Sequence, residues 1–167
     1  MIEPLRLSFD VQCRIEHAFD VWTSRIDQWW PRAHSVSAES GLEVVVEPRV
    51  GGRIFERTPS GAEHDWGEVT FWQPPTRFGY LWHLRRDRAD ATEVDITFTP
   101  RTQSSTRVDI EHRGWERLGV EGPRWREANV GGWAALLPHY VAACTAAFSE
   151  AASNKDSEFD EREGTHP

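Results

Sequence analysis

The feature that most constrains this chain is the stretch from Pro123 to about Ser149. Gly122-Pro123 is a helix start, because proline costs least in the first helical turn. Trp125, Trp133, Leu136, Leu137, Tyr140, Val141, Cys144 and Phe148 then recur at spacings of three and four, which places them on one stripe of a helix. At 1.5 Å per residue this helix is on the order of 40 Å long, enough to cross a whole sheet. Such a stripe must be buried against something. Nearly everything before it reads as strands with one apolar face, so the simplest architecture is a curved sheet gripping the helix.

Taken in order, Leu5, Leu7, Phe9, Val11 and Cys13 alternate with polar residues and form a first strand. Ile15, Ala18, Phe19, Trp22 and Ile26 fall at helical spacing. Asp27 can cap a short second helix over 27–30, which Pro31 closes. Residues 32–41 are polar and irregular and predict a loop. Six strands follow. The first is carried by Leu42, Val44 and Val46, the second runs from Arg53 to Thr58, the third from His64 to Gln73 and the fourth from Arg77 to Leu84. The fifth is centred on Val94, Ile96 and Phe98, and the sixth on Val108, Ile110 and His112. Gly51-Gly52, Pro59-Ser60-Gly61, Pro74-Pro75 and the charged segment 85–92 supply the turns, so the strands pair as an antiparallel meander. The polar, acidic segment 151–167 has no period and is expected to be disordered. One domain, 1–150, is expected.

Several segments together resemble the activator of heat shock protein 90 ATPase homologue family. IEHAFDVWTSRIDQWWP is similar to its Phe-x-x-Trp and Trp-Trp opening. VGGRIFERTPSGAEHDWGEVTFWQPPTRFGYLW is similar to its Gly-Gly strand, turn glycine, Gly-x-Val strand, Pro-Pro turn and closing strand. TRVDIEHRGW resembles its last strand, and Gly132-Trp133 with Leu136 the start of its final helix. The resemblance spans about residues 5–149. It implies an α+β helix-grip fold of the wider START and birch-pollen-allergen-like kind: a curved antiparallel sheet of about seven strands wrapped around a long C-terminal helix, with two short helices between strands 1 and 2. Pro138 departs from a regular helix, since its ring clashes with the turn at Ala134, and a kink is expected there.

In such a fold the inner sheet face and the helix stripe line a hollow. The residues expected to meet a ligand there are Trp30, Phe71, Tyr80, Trp82, Phe98, His112, Asn129, Trp133, Leu136 and Tyr140. Each could equally be packing. Tyr80, His112 and Asn129 stand apart, because a buried polar group without a partner costs about 1–3 kcal/mol, and a few polar groups in an apolar pocket is the usual make-up of a ligand site. Trp66 and Trp72 have the parity opposite to Val69 and Phe71, which points them outward. A bulge at Gly67 would turn Trp66 inward, and the sequence does not choose.

Other chemistry is absent from the pattern. His64 and Asp65 are adjacent and point to opposite strand faces, so with Glu68 they do not make a metal site. There is no nucleophile elbow, phosphate loop or paired Cys/His nucleophile, and no cofactor is called for. A net charge of −8 without a basic cluster argues against nucleic acid and anionic membrane as partners. No apolar run reaches the ~20 residues of a span, and Cys13 and Cys144 read as reduced core thiols of a cytoplasmic protein. Alanines on the far side of the last helix (Ala134, Ala135, Ala142, Ala143, Ala146) are covered either by the first-helix region or by a second chain, which leaves a homodimer open. Three functions follow as expectations. The first is binding of a small apolar or aromatic molecule without catalysis. The second is a polyketide cyclase or aromatase-like enzyme in which His112 or Tyr80 moves a proton. The third, which the resemblance implies, is a co-chaperone-type activator of a heat-shock ATPase.

Overall fold

A computed structural model describes the backbone of residues 1–160 and the side chains of residues 1–146; the Phe148 side chain and residues 161–167 lie outside what it describes. Seven strands form one antiparallel sheet: β1 (Leu5–Val11), β2 (Glu43–Val46), β3 (Arg53–Arg57), β4 (Glu63–Gln73), β5 (Arg77–Trp82), β6 (Thr92–Thr102) and β7 (Ser105–Arg113). The spatial order is β1-β7-β6-β5-β4-β3-β2, so every chain neighbour pairs except across the crossing from β1 to β2. That crossing carries helix α1 (Ile15–Trp22) and two single-turn helices, Ile26–Gln28 and Arg32–His34. Helix α2 spans Gly122–Asp160, so it continues into the segment expected to be disordered.

The structure therefore has the helix-grip arrangement that the alternation and the terminal stripe require. Ala18, Phe19, Val21 and Trp22 of α1 and Trp133, Leu136, Tyr140 and Cys144 of α2 are buried on the same apolar side of the sheet. Leu5, Val69, Phe78, Tyr80, Val94, Ile96, Phe98, Val108 and Ile110 meet them from the strands in one continuous core. Cys13 and Cys144 are both buried and free.

Two local outcomes, at Asp27 and Trp125, differ from the sequence expectation. Asp27 does not cap a helix: its Oδ1 accepts from the Val44 N–H of β2 at 2.7 Å, a tertiary brace that outcompetes local capping. The helical assignment of α2 continues through Pro138. Trp125 begins the apolar stripe yet is 37% exposed, under the guanidinium of Arg86 at 5.1 Å. The stripe is continuous, but burial on it begins only at Trp133. Among the described residues no helix is long and apolar enough to cross a membrane.

Candidate functional site: the ring-lined interior

Strand β4 shapes the interior through two irregularities. Its pairing with β3 jumps from Gly67↔Ile54 to Asp65↔Phe55, and its pairing with β5 jumps from Val69↔Tyr80 to Phe71↔Gly79. Each jump inserts one residue and reverses the parity beyond it. Gly67 is required at the first: a Cβ there would lie 2.1 Å from the Leu81 carbonyl oxygen. The first bulge turns Trp66 inward, fully buried, with its ring centroid 5.3 Å from Trp30 and 5.9 Å from Trp82. The second turns Trp72 inward, 5.2 Å from Phe19. It also turns Phe71 outward, where the Arg77 guanidinium covers it at 3.9 Å. Phe71, expected to face a ligand, therefore lies outside the site, because one inserted residue at Thr70 shifts the alternation.

The rings gather in three contiguous groups. Phe19 joins Trp72, Phe78 and Phe98 near the β4–β5 turn, with Phe98 at 5.4 Å. Trp22 joins Trp29, Trp133 and Tyr140 beneath α2, with Tyr140 at 4.5 Å. Trp30, Trp66, Trp82 and Tyr80 form the third group, and Tyr80 also meets Phe78 at 5.0 Å. Edge-to-face pairs of this kind contribute about 0.5–1.5 kcal/mol each beyond area burial. Of the expected contact residues, Trp30, Tyr80, Trp82, Phe98, His112, Trp133, Leu136 and Tyr140 are thus in or against this interior. Asn129 is not: its Nδ2 donates to the Trp125 carbonyl one turn back, on the overhanging start of α2.

The polar groups of the interior are of two kinds. His112 is locked. The Trp133 indole can only donate, so His112 Nδ1 accepts from its Nε1 at 3.1 Å, and His112 Nε2–H donates to the Thr92 hydroxyl at 2.7 Å. Burial, and then the nearby Arg86 charge, lower its pKa to about 3. It is a neutral tie between β7, β6 and α2 and cannot work as an acid–base group near neutrality. Tyr140 is locked too, its hydroxyl donating to the Ala18 carbonyl at 2.7 Å.

Tyr80 is free. It is 3% exposed, and burial raises its pKa, so it stays a neutral hydroxyl. Among the described residues, every fully enclosed side-chain polar atom has a hydrogen-bond partner. The Tyr80 hydroxyl makes none, so it borders accessible space. The same reasoning applies to the indole N–H of Trp22, a residue 1% exposed. Where the Phe19 group reaches the surface there is a recess of about 430 Å³, floored by Phe19, Val46, Trp72, Pro74 and Pro75 and rimmed by Glu16 and Asp20.

Glu56 supports the third ring group and was not foreseen as a site residue. It is fully buried, and its carboxylate accepts from the N–H of Val36 at 2.5 Å, the N–H and hydroxyl of Ser37, and the indole of Trp66 at 2.9 Å. Burial alone would raise its pKa; these donors outweigh that and hold it below the ordinary carboxylate value. Arg85 donates to the carbonyls of Ser35 and Ala33 from the other side. The segment read as an irregular loop is therefore pinned, and Trp30 with it, through Nε1 to the His34 carbonyl at 2.8 Å. The signal was present: Glu56 shares strand parity with Ile54 and Thr58, both buried.

A seven-stranded antiparallel sheet closed over a ring-filled interior by a long C-terminal helix defines a START-like, helix-grip class of architecture. Residues 12–142 match the family model described as activator of Hsp90 ATPase homolog 1-like protein, and the chain belongs to that family. Among solved structures, it is similar to the anthrahydroquino-gamma-pyrone synthase Txn09, at 33% identity over 74% of this chain and 84% of that one, TM-score 0.53. The self-sacrificing resistance protein CalC of Micromonospora echinospora is similar at 24% identity over 89% and 95%, TM-score 0.60. Protein MLL2253 of Mesorhizobium loti shares the fold at 18% identity over 84% and 96%, TM-score 0.62. No curated protein matches the chain in sequence.

Proposed function

We propose that this protein binds a small, planar, largely apolar molecule among the interior rings, with the Tyr80 hydroxyl as its polar anchor. The observation that carries the reading is the contrast between Tyr80, buried and without a partner, and His112 and Tyr140, which are fully engaged. A ligand oxygen placed at Tyr80 would supply the missing hydrogen bond. The recess at Phe19 and Trp72 offers a way in, since Phe19 touches Phe78 and Phe98 behind it.

A second reading is favoured by one observation, the similarity to a pyrone-forming synthase. In that case the interior would fold a reactive polyketone, and Tyr80 would donate a hydrogen bond to a carbonyl oxygen as charge develops on it. His112 has no part in either reading as a proton carrier.

The test is a titration with naphthalene and naphthol, followed by quenching of the interior tryptophans. Naphthol should bind roughly five- to tenfold more tightly than naphthalene, one hydrogen bond's worth, and Tyr80→Phe should erase that difference while leaving naphthalene unchanged. No saturable quenching by either compound would overturn the proposal. Turnover of a polyketone with Tyr80-dependent rate would move the assignment to the enzyme.

A further inference from the structure

The two edges of the sheet are treated differently. At one edge, β2 is four residues long, and the Asp27 carboxylate covers its Val44 N–H. At the other, β1 is seven residues long and pairs with β7 in unbroken register from Leu5↔His112 to Val11↔Thr106. Among the described residues, no backbone group of Leu5–Val11 bonds to anything beyond that ladder. A regular, uncovered edge of this length is a template for another strand unless bulges, proline or unmatched charge protect it. β1 contains no proline and no bulge.

A groove of about 400 Å³ lies along this edge. It touches Leu7, Ser8, Phe9 and Asp10 in succession. Successive strand residues point to opposite faces, so a groove touching all four follows the edge itself. Its far wall is the α2 surface at Leu137, Pro138 and Val141. Leu137 and Val141 are only half-buried, and Pro138, lacking an N–H, leaves the Ala134 carbonyl without its helical donor.

We infer that this edge is where a second copy of the chain docks, β1 against β1 in antiparallel pairing about a two-fold axis at Ser8. The strand's own sequence selects that occupant. With Ser8 opposite Ser8, the seven-residue strand overlaps its copy along its whole length, and Arg6 falls opposite Asp10 of the second copy, twice. On the other face the half-buried Leu7 meets the half-buried Phe9, while Leu5 and Val11 at the strand ends are already covered within the chain. The register that maximises overlap is thus also the one that pairs opposite charges outside and apolar side chains inside, and it keeps both α2 helices on one side of a fourteen-stranded sheet (seven from each chain). Arg6 and Asp10 are available for it: within the chain they face Glu111 at 3.2 Å and Arg101 at 3.5 Å, with side chains 62% and 50% exposed.

Charge reversal tests the register by sedimentation equilibrium. Wild type should self-associate. Arg6→Asp or Asp10→Arg alone should weaken the dimer roughly tenfold or more, because each sets like charges opposite one another at two places, and the double variant Arg6→Asp/Asp10→Arg should recover it. Leu137→Lys, at a half-exposed groove position, should abolish it with the melting transition retained. Wild type that stays monomeric up to about 0.5 mM, a range that would still register millimolar affinity, overturns the inference. So does a dimer indifferent to all four variants.

Discussion

The two faces of the sheet come from the same strands and obey different physics. The inner face is rings against rings, with its polar groups individually tied or, at the Tyr80 hydroxyl and the Trp22 indole N–H, left open. The outer face is a lattice of ion pairs: Arg6 with Glu111, Arg77 with Asp95, Arg53 with Asp65, Arg57 with Glu43 and Glu63, Arg88 with Glu68, and Arg113 with Glu93, Asp95 and Glu111. Most of these side chains are a third or more exposed, so each pair contributes about 0–1 kcal/mol. The inner ties are few and lie out of water, where a lost partner costs the full desolvation of the group left behind. Stability should therefore be concentrated inside, while the outer face sets solubility and edge behaviour.

The largest effect that would break this contrast is at His112. His112→Ala opens a cavity, leaves the Trp133 indole N–H unpaired and leaves the Thr92 hydroxyl only its long bonds to the Trp82 carbonyl and the Arg86 guanidinium, for an expected loss of about 3–5 kcal/mol in urea unfolding. His112 also sets a pH signature. Its folded pKa is about 3 against 6.5 in the free side chain, so as pH falls through that window the unfolded state takes the proton first. Stability should fall with decreasing pH by up to about 1.4 kcal/mol per unit. The wild-type curve should carry that slope and the His112→Gln curve should lack it. At the small end, Arg77→Ala removes the pair with Asp95 and the cover over Phe71, and should cost about 1 kcal/mol or less, less still in high salt. An Arg77 effect as large as that of His112 would dissolve the contrast between the faces.

The fold was legible because two periodicities, two in the strands and 3.6 in the last helix, run without conflict over most of the chain. The Phe78, Tyr80, Trp82 face and the Trp133, Leu136, Tyr140 stripe are where alternation and spacing put them. What alternation could not carry was its own interruption. Gly67 hinted at the bulge that brings in Trp66. Thr70, which reverses Phe71 and Trp72, carries no comparable signal, because any residue can occupy a bulge whose backbone stays in common conformations. Asn129 shows a second limit: helical spacing fixes a side chain's azimuth but not whether anything covers it. His112 was placed correctly, but its role depended on two distant partners, Thr92 and Trp133, which spacing does not bring together.

The most direct measurement uses the chain's two tyrosines, Tyr80 and Tyr140. With tyrosine rings isotopically labelled, a naphthol titration followed by NMR should move the Tyr80 signal saturably and leave Tyr140, held to the Ala18 carbonyl, nearly still. If Tyr80 stays fixed while naphthol binds, or if both signals move alike, the open hydroxyl is not the anchor, and the interior is packing rather than a site.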